Sequence, residues 1–75
     1  MQMEQEYTAR LENWAYNSKQ NVLIGECFGD IGGRFPDGSK IQTSRLKPMS
    51  MQISTPKKGS IMATLNSTYL LGEEK

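Results

Sequence analysis

Apolar and polar residues alternate along much of this chain with the two-residue period of β-strands. In "PMSMQIST", Met49, Met51 and Ile53 fall on one side and Ser50, Gln52 and Ser54 on the other, the pattern of a half-buried strand. In "SKIQTSRL", Ile41 and Thr43 take inward positions while Lys40 and Gln42 face water. "SIMATLNSTYLL" alternates through Ile61, Ala63, Leu65, Ser67, Tyr69 and Leu71, which predicts one long strand or two broken at Asn66-Ser67. "VLIGECFGDI" differs: Val22, Ile24 and Phe28 share one face, and Leu23, Cys27 and Ile31 share the other. Apolar groups on both faces predict a central strand or one at an oligomer contact. Gly25 and Gly29 weaken a helix there and suit a bent or bulged strand. Nearer the N-terminus two periods compete. Tyr7, Leu11, Trp14 and Ala15 are at helical spacing, whereas "ENWAY" reads as a strand with Trp14 and Tyr16 on one face. The expectation is an arm or short helix over residues 1–10 and a strand over 11–17.

Turn residues divide these segments. "NSKQN" is polar and turn-like. In "FPDG", Pro36 presets φ for the first central position of a type I turn, Asp37 suits the next, and Gly38 accepts positive φ. "PKKG" is a second candidate of the same kind. The sum is an all-β fold, with at most a short N-terminal helix: a small antiparallel four- to five-stranded curled sheet or barrel. One β domain spans 11–72, and residues 73–75 form a charged tail.

Size changes what such a sheet needs. A chain of 75 residues buries only about 60% of its unfolded surface, so its core is thin. Small domains usually add disulfides, a metal or a partner subunit. Cys27 is the single cysteine and histidine is absent, so an internal disulfide is ruled out and the usual zinc ligands are missing. A homo-oligomer is the remaining support, and no cofactor is expected. The net charge of +1 argues against a protein that lives on phosphate contacts. No apolar run approaches the roughly 20 residues of a membrane span. The opening residues also lack the features of an export signal, which points to the cytoplasm.

The side chains leave little catalytic chemistry. Histidine, the commonest general acid–base, is missing. Glu26 and Asp30 are four apart on a presumed strand and read as solvated acids rather than as a metal or glycosidase pair. Cys27 lies in an apolar segment and reads as a small buried hydrophobe. "GDIGG" resembles half of a dinucleotide fingerprint, but a turn and a strand follow it where a helix N-terminus is required. Two readings stay open for Gly32, Gly33 and Arg34: a bulge with a solvated arginine, or a nest of backbone amides that holds an anion. In the second, Thr43, Ser44 and Arg45 from the next strand add hydroxyls and charge. Trp14 and Tyr69 either stack on a ligand base or fill the thin core.

The series "NW…N…G…GD…GRFPDG…I.TS", followed by "T.NSTYLLG", resembles small accessory proteins encoded by bacteriophages and prophages. Asn13, Trp14, Gly25, Gly29, Asp30, Gly33, Arg34, Phe35, Asp37, Gly38, Thr43, Ser44, Asn66, Ser67, Tyr69 and Leu71 carry the resemblance, over about residues 12–72. It implies a non-enzymatic protein that acts in the bacterial host cytoplasm and binds a host factor, such as a defence component. The target would be a host protein or a nucleotide second messenger, with no membrane partner. The alternative is a small β-barrel that binds single-stranded nucleic acid; balanced charge and only six aromatic residues weigh against it.

Overall fold

The structure is a computed structural model that describes residues 7–48, 52 and 55–75. Among these residues there is no helix. Five strands form one sheet: β1 (Ala9–Asn17), β2 (Val22–Phe28), β3 (Ser39–Gln42), β4 (Ile61–Ala63) and β5 (Thr68–Leu71). Their order is β3-β2-β1-β5-β4. The all-β class and the small curled sheet follow the alternation in the sequence. The pairing is antiparallel except between β1 and β5, which run parallel with Ala9 opposite Tyr69 and Leu11 opposite Leu71. An odd-numbered meander that curls its last strand back onto its first must make this one parallel pair, so the expectation of a wholly antiparallel sheet is corrected.

β1 and β2 form a hairpin across the polar turn. The Asn17 Oδ1 atom accepts from the Lys19 and Gln20 amides at 3.0 and 3.2 Å, the side-chain mimicry that makes asparagine a turn former. Midway along the hairpin the register slips. Glu12 faces Glu26 and Ala15 faces Ile24, so β1 carries one extra residue, a β-bulge. Asn13 sits in the left-handed region at φ 50°, which asparagine tolerates better than most residues. The bulge turns both Leu11 and Trp14 inward although they are three apart. Gly25 lies opposite it. A Cβ there would stand 2.9 Å from the Glu12 carbonyl oxygen and 3.0 Å from the Trp14 Cα, so only glycine lets the strands approach.

The turn before β3 closes one residue later than "FPDG" predicted. The Ser39 amide donates to the Pro36 carbonyl at 3.1 Å, and Gly38, at φ 89°, takes the third position. "PKKG" shifts in the same way: the Ser60 amide donates to the Lys57 carbonyl at 3.0 Å, with Gly59 at φ 88°. In both, glycine's freedom at positive φ sets the turn more strongly than proline's fixed φ.

The C-terminal alternation resolves into two strands. The Thr64 hydroxyl accepts from the Asn66 and Ser67 amides at 3.3 and 3.0 Å and donates to the Ser67 carbonyl at 2.9 Å, closing a tight turn. β5 keeps the expected phase, with Tyr69 and Leu71 buried. β4 has the opposite phase: Met62 is buried, Ile61 and Ala63 are half-buried, and Leu65 lies in the turn, exposed. The turn breaks the alternation, so one phase cannot serve both strands. The strand predicted through Met49, Met51 and Ile53 lies outside the described residues. Gln52 is described, and its carboxamide bonds both ways to the Ala63 backbone, at 2.8 and 2.9 Å.

The sheet is not closed, but residues 43–47 strap its two edges together. The Thr43 and Leu46 amides donate to the Leu23 and Asn21 carbonyls, and the Lys47 and Leu65 amides bond to Ala63 and Arg45. Leu46 and Thr64 form an isolated bridge. Inside the curl lies one core, in which Leu11, Trp14, Leu23, Cys27, Met62 and Leu71 are fully buried.

Candidate functional site

The glycine-rich loop between β2 and β3 begins where Gly29 leaves the sheet at φ 65°. Asp37 caps this exit, its Oδ1 accepting the Gly29 amide at 2.8 Å. The chain then folds around Asp30. One carboxylate oxygen accepts the Arg34 amide at 2.8 Å and the Arg34 Nε at 3.2 Å. The other accepts the Gly32 amide at 3.3 Å and lies 3.5 Å from an Arg34 terminal nitrogen. The Gly33 amide donates to the Asp30 carbonyl at 3.0 Å. The nest is real, and its anion is the chain's own carboxylate, which has no solvent-exposed side-chain surface.

The electrostatics agree with this geometry. Burial opposes ionisation of Asp30, but the bonds from Arg34 and Gly32 outweigh it and hold the carboxyl below its ordinary value. The same pair holds the Arg34 guanidinium more firmly protonated; its own burial acts the other way, and a bond with the Tyr69 hydroxyl adds to the effect of Asp30. Arg34 also lies over the Phe35 ring, 5.2 Å from its centroid. Burial pushes the Cys27 thiol up, and Asp30 adds to the shift, so Cys27 is the inert core group expected of it.

The remaining candidates separate. Tyr69 joins Arg34, but it is 3% exposed; Trp14 is 1% exposed, and its indole Nε1 donates to the Gly72 carbonyl at 3.0 Å. Neither ring offers a face to solvent, so the stacking role is corrected to a core role: a sheet this small needs its largest side chains inside. Thr43 is buried, and its hydroxyl accepts the Leu23 amide at 3.0 Å, which makes it part of the strap. The Ser44 hydroxyl accepts from the Asn66 carboxamide at 2.6 Å. Arg45 is exposed on the strap, and its backbone carbonyl holds Leu65. Glu26 and Asp30 do not share a face either. β2 ends at Phe28; Glu26 accepts from the Asn13 carboxamide at 3.0 Å, while Asp30 closes the loop.

Two features escaped the sequence. The first is a pair of exposed aliphatic side chains. Ile31 and Leu65 are 66% and 64% exposed, in different loops. The Ile31 amide donates to the Thr8 carbonyl at 2.9 Å, and the Thr8 amide donates to the carbonyl of Thr68, the first residue of β5, at 2.8 Å. Leu65 and Thr8 border a shallow cavity of about 290 Å³. The second is a groove of about 560 Å³ on the outer face of β1–β2–β3, between Asn13, Glu26, Lys40 and Lys75. The spacing of Leu11 and Trp14, three apart yet both apolar, was the available sign of the bulge that shapes it.

Among the described residues no cluster of three or more side chains is arranged to hold a metal ion, and no helix is long and apolar enough to cross a membrane. Comparison with known proteins adds no relative: no family model, no curated protein and no solved structure matches the chain.

Proposed function

We propose that this chain is a non-enzymatic accessory protein, of the kind bacteriophages encode, that binds a host protein in the bacterial cytoplasm and so counters host defence. The observation that carries the binding surface is the exposure of Ile31 and Leu65, the most exposed large apolar side chains described. Large aliphatic side chains left in water, on loops held by backbone bonds from Ile31 to Thr8 and from Leu65 to Arg45, suit contact with a partner. The acids support the non-enzymatic reading. Glu12, Asp30, Asp37 and Glu73 each accept a hydrogen bond or ion pair from within the chain, which engages these carboxylates in holding the fold.

The test is capture from bacterial lysate, with tagged wild type beside an Ile31→Asp/Leu65→Asp variant. The expected result is one host protein retained by the wild type and lost by the variant, with both giving the same circular dichroism. Equal capture by the variant overturns the reading. So does sedimentation showing that the two side chains are buried between copies of this chain.

A further inference from the structure

The groove on the outer face of the sheet has a different chemistry from the exposed Ile31 and Leu65 and is lined by neither. Leu23, Gly25 and Cys27 face the core, so Ile24, Glu26 and Phe28 face outward. Across the strands the outer face runs in rows: Glu12–Glu26–Lys40 and Ala15–Ile24–Gln42. The bulge lifts Asn13 at one side of the groove. Residues 72–75 continue parallel to β1, with the Lys75 amide donating to the Trp14 carbonyl at 2.9 Å, which brings Lys75 to the rim.

Three properties of this groove select a ligand. Its floor, formed by the Ile24 and Ala15 side chains and the Gly25 backbone, is apolar. Lys40 and Lys75 are exposed at the rim, and neither enters an ion pair among the described residues. Lys40 is the cross-strand partner of Glu26, yet Glu26 bonds to Asn13 through Oε1. That leaves an acceptor oxygen on Glu26 for a ligand N–H or O–H. The volume of about 560 Å³ falls within the roughly 300–1,000 Å³ of small-molecule sites.

We propose that this groove binds a nucleoside monophosphate, with the phosphate at Lys40 and Lys75, the base on the Ile24–Gly25–Ala15 floor, and a ribose hydroxyl or base amine donating to Glu26. An anion with no apolar body leaves the floor wet, and a neutral nucleoside leaves both ammonium groups unpaired. The site is independent of the protein-contact surface, so each stands or falls alone.

The test uses the full chain, labelled with ¹⁵N, titrated with adenosine monophosphate, adenosine and inorganic phosphate in separate series. The monophosphate is expected to shift the amides of Asn13, Gly25 and Glu26 saturably. Adenosine and phosphate alone should each bind at least about tenfold more weakly, the scale of losing one charge-assisted hydrogen bond. Lys40→Met should weaken the monophosphate by about the same factor, and Lys40→Arg should restore it. The proposal is overturned by the absence of saturable shifts at millimolar monophosphate, by shifts confined to Gly32–Arg34, by phosphate alone binding as tightly, or by Lys40→Met binding like wild type.

Discussion

The β2–β3 loop and the bulged face of β1–β2 both combine glycine with charge, and they treat that charge in opposite ways. In the loop, the Gly32 amide, the Arg34 amide and the Arg34 guanidinium converge on Asp30, and the Gly29 amide is taken by Asp37. On the bulged face, Lys40 and Lys75 stand beside a groove with no ion-pair partner among the described residues. Glycine serves each region differently. In the loop Gly33, at φ 67°, bends the backbone so that amides point at one spot. On the face Gly25 removes a side chain so that two strands close over Leu11 and Trp14. A loop with the composition of an anion site has supplied its own anion, and the open charge lies on Lys40 of β3 and on Lys75 beyond β5.

Substitutions separate the two regions, and the largest effect is expected at the bulge. Trp14 is buried, and its Nε1–H is bonded to Gly72; Trp14→Ala should cost about 3–5 kcal/mol. That is a large share of the roughly 5–15 kcal/mol that holds a small domain together, so chemical denaturation should find the variant largely unfolded. Next comes a pair of glycines. Gly25→Ala overpacks the bulge and should cost about 1–3 kcal/mol. Gly32→Ala meets only ordinary contacts at 3.7 Å and should stay within about 0.5 kcal/mol of wild type. Equal melting temperatures for these two variants would erase the structural contrast. Asp30→Ala should lower the melting temperature less than Gly25→Ala does, and it should open the nest. Inorganic phosphate would then shift the Gly32 and Arg34 amides in the variant and leave them unmoved in the wild type. Smallest of all, Lys40→Met should leave stability within about 0.5 kcal/mol of wild type, measured by the same denaturation.

The legible part of the fold was the part governed by local alternation. Ile41, Tyr69 and Leu71 lie inside as their spacing required, and the polar hairpin turn and the break near Asn66 were visible as residue types. Long-range geometry was hidden. Nothing within β1 or β5 alone says that they pair in parallel, and the phase of β4 depends on a turn held by the Thr64 hydroxyl. The sites divided along the same line. Gly32, Gly33 and Arg34 announced an amide nest, because glycine composition reports backbone freedom. Which acid filled it depended on Asp30 folding back over four residues, and Asp37, which caps Gly29, was another acid within reach. The groove was illegible because Asn13, Lys40 and Lys75 are far apart in the chain and meet only through the bulge and the returning C-terminal residues.

The most direct test of the closed nest is an NMR pH titration of the Asp30 carboxyl carbon, with the Gly32 and Arg34 amides followed in parallel. The folded-state value lies below the ordinary 3.8, so the unfolded chain binds the proton more readily. The stabilisation from Asp30 is therefore complete above the unfolded value and is lost as pH falls through the folded one. A closed nest gives a midpoint below the ordinary value, with both amides shifting at that same midpoint as the bonds release. A midpoint at or above the ordinary value, with amides indifferent to it, would contradict the account and return the nest to the role of an open anion site.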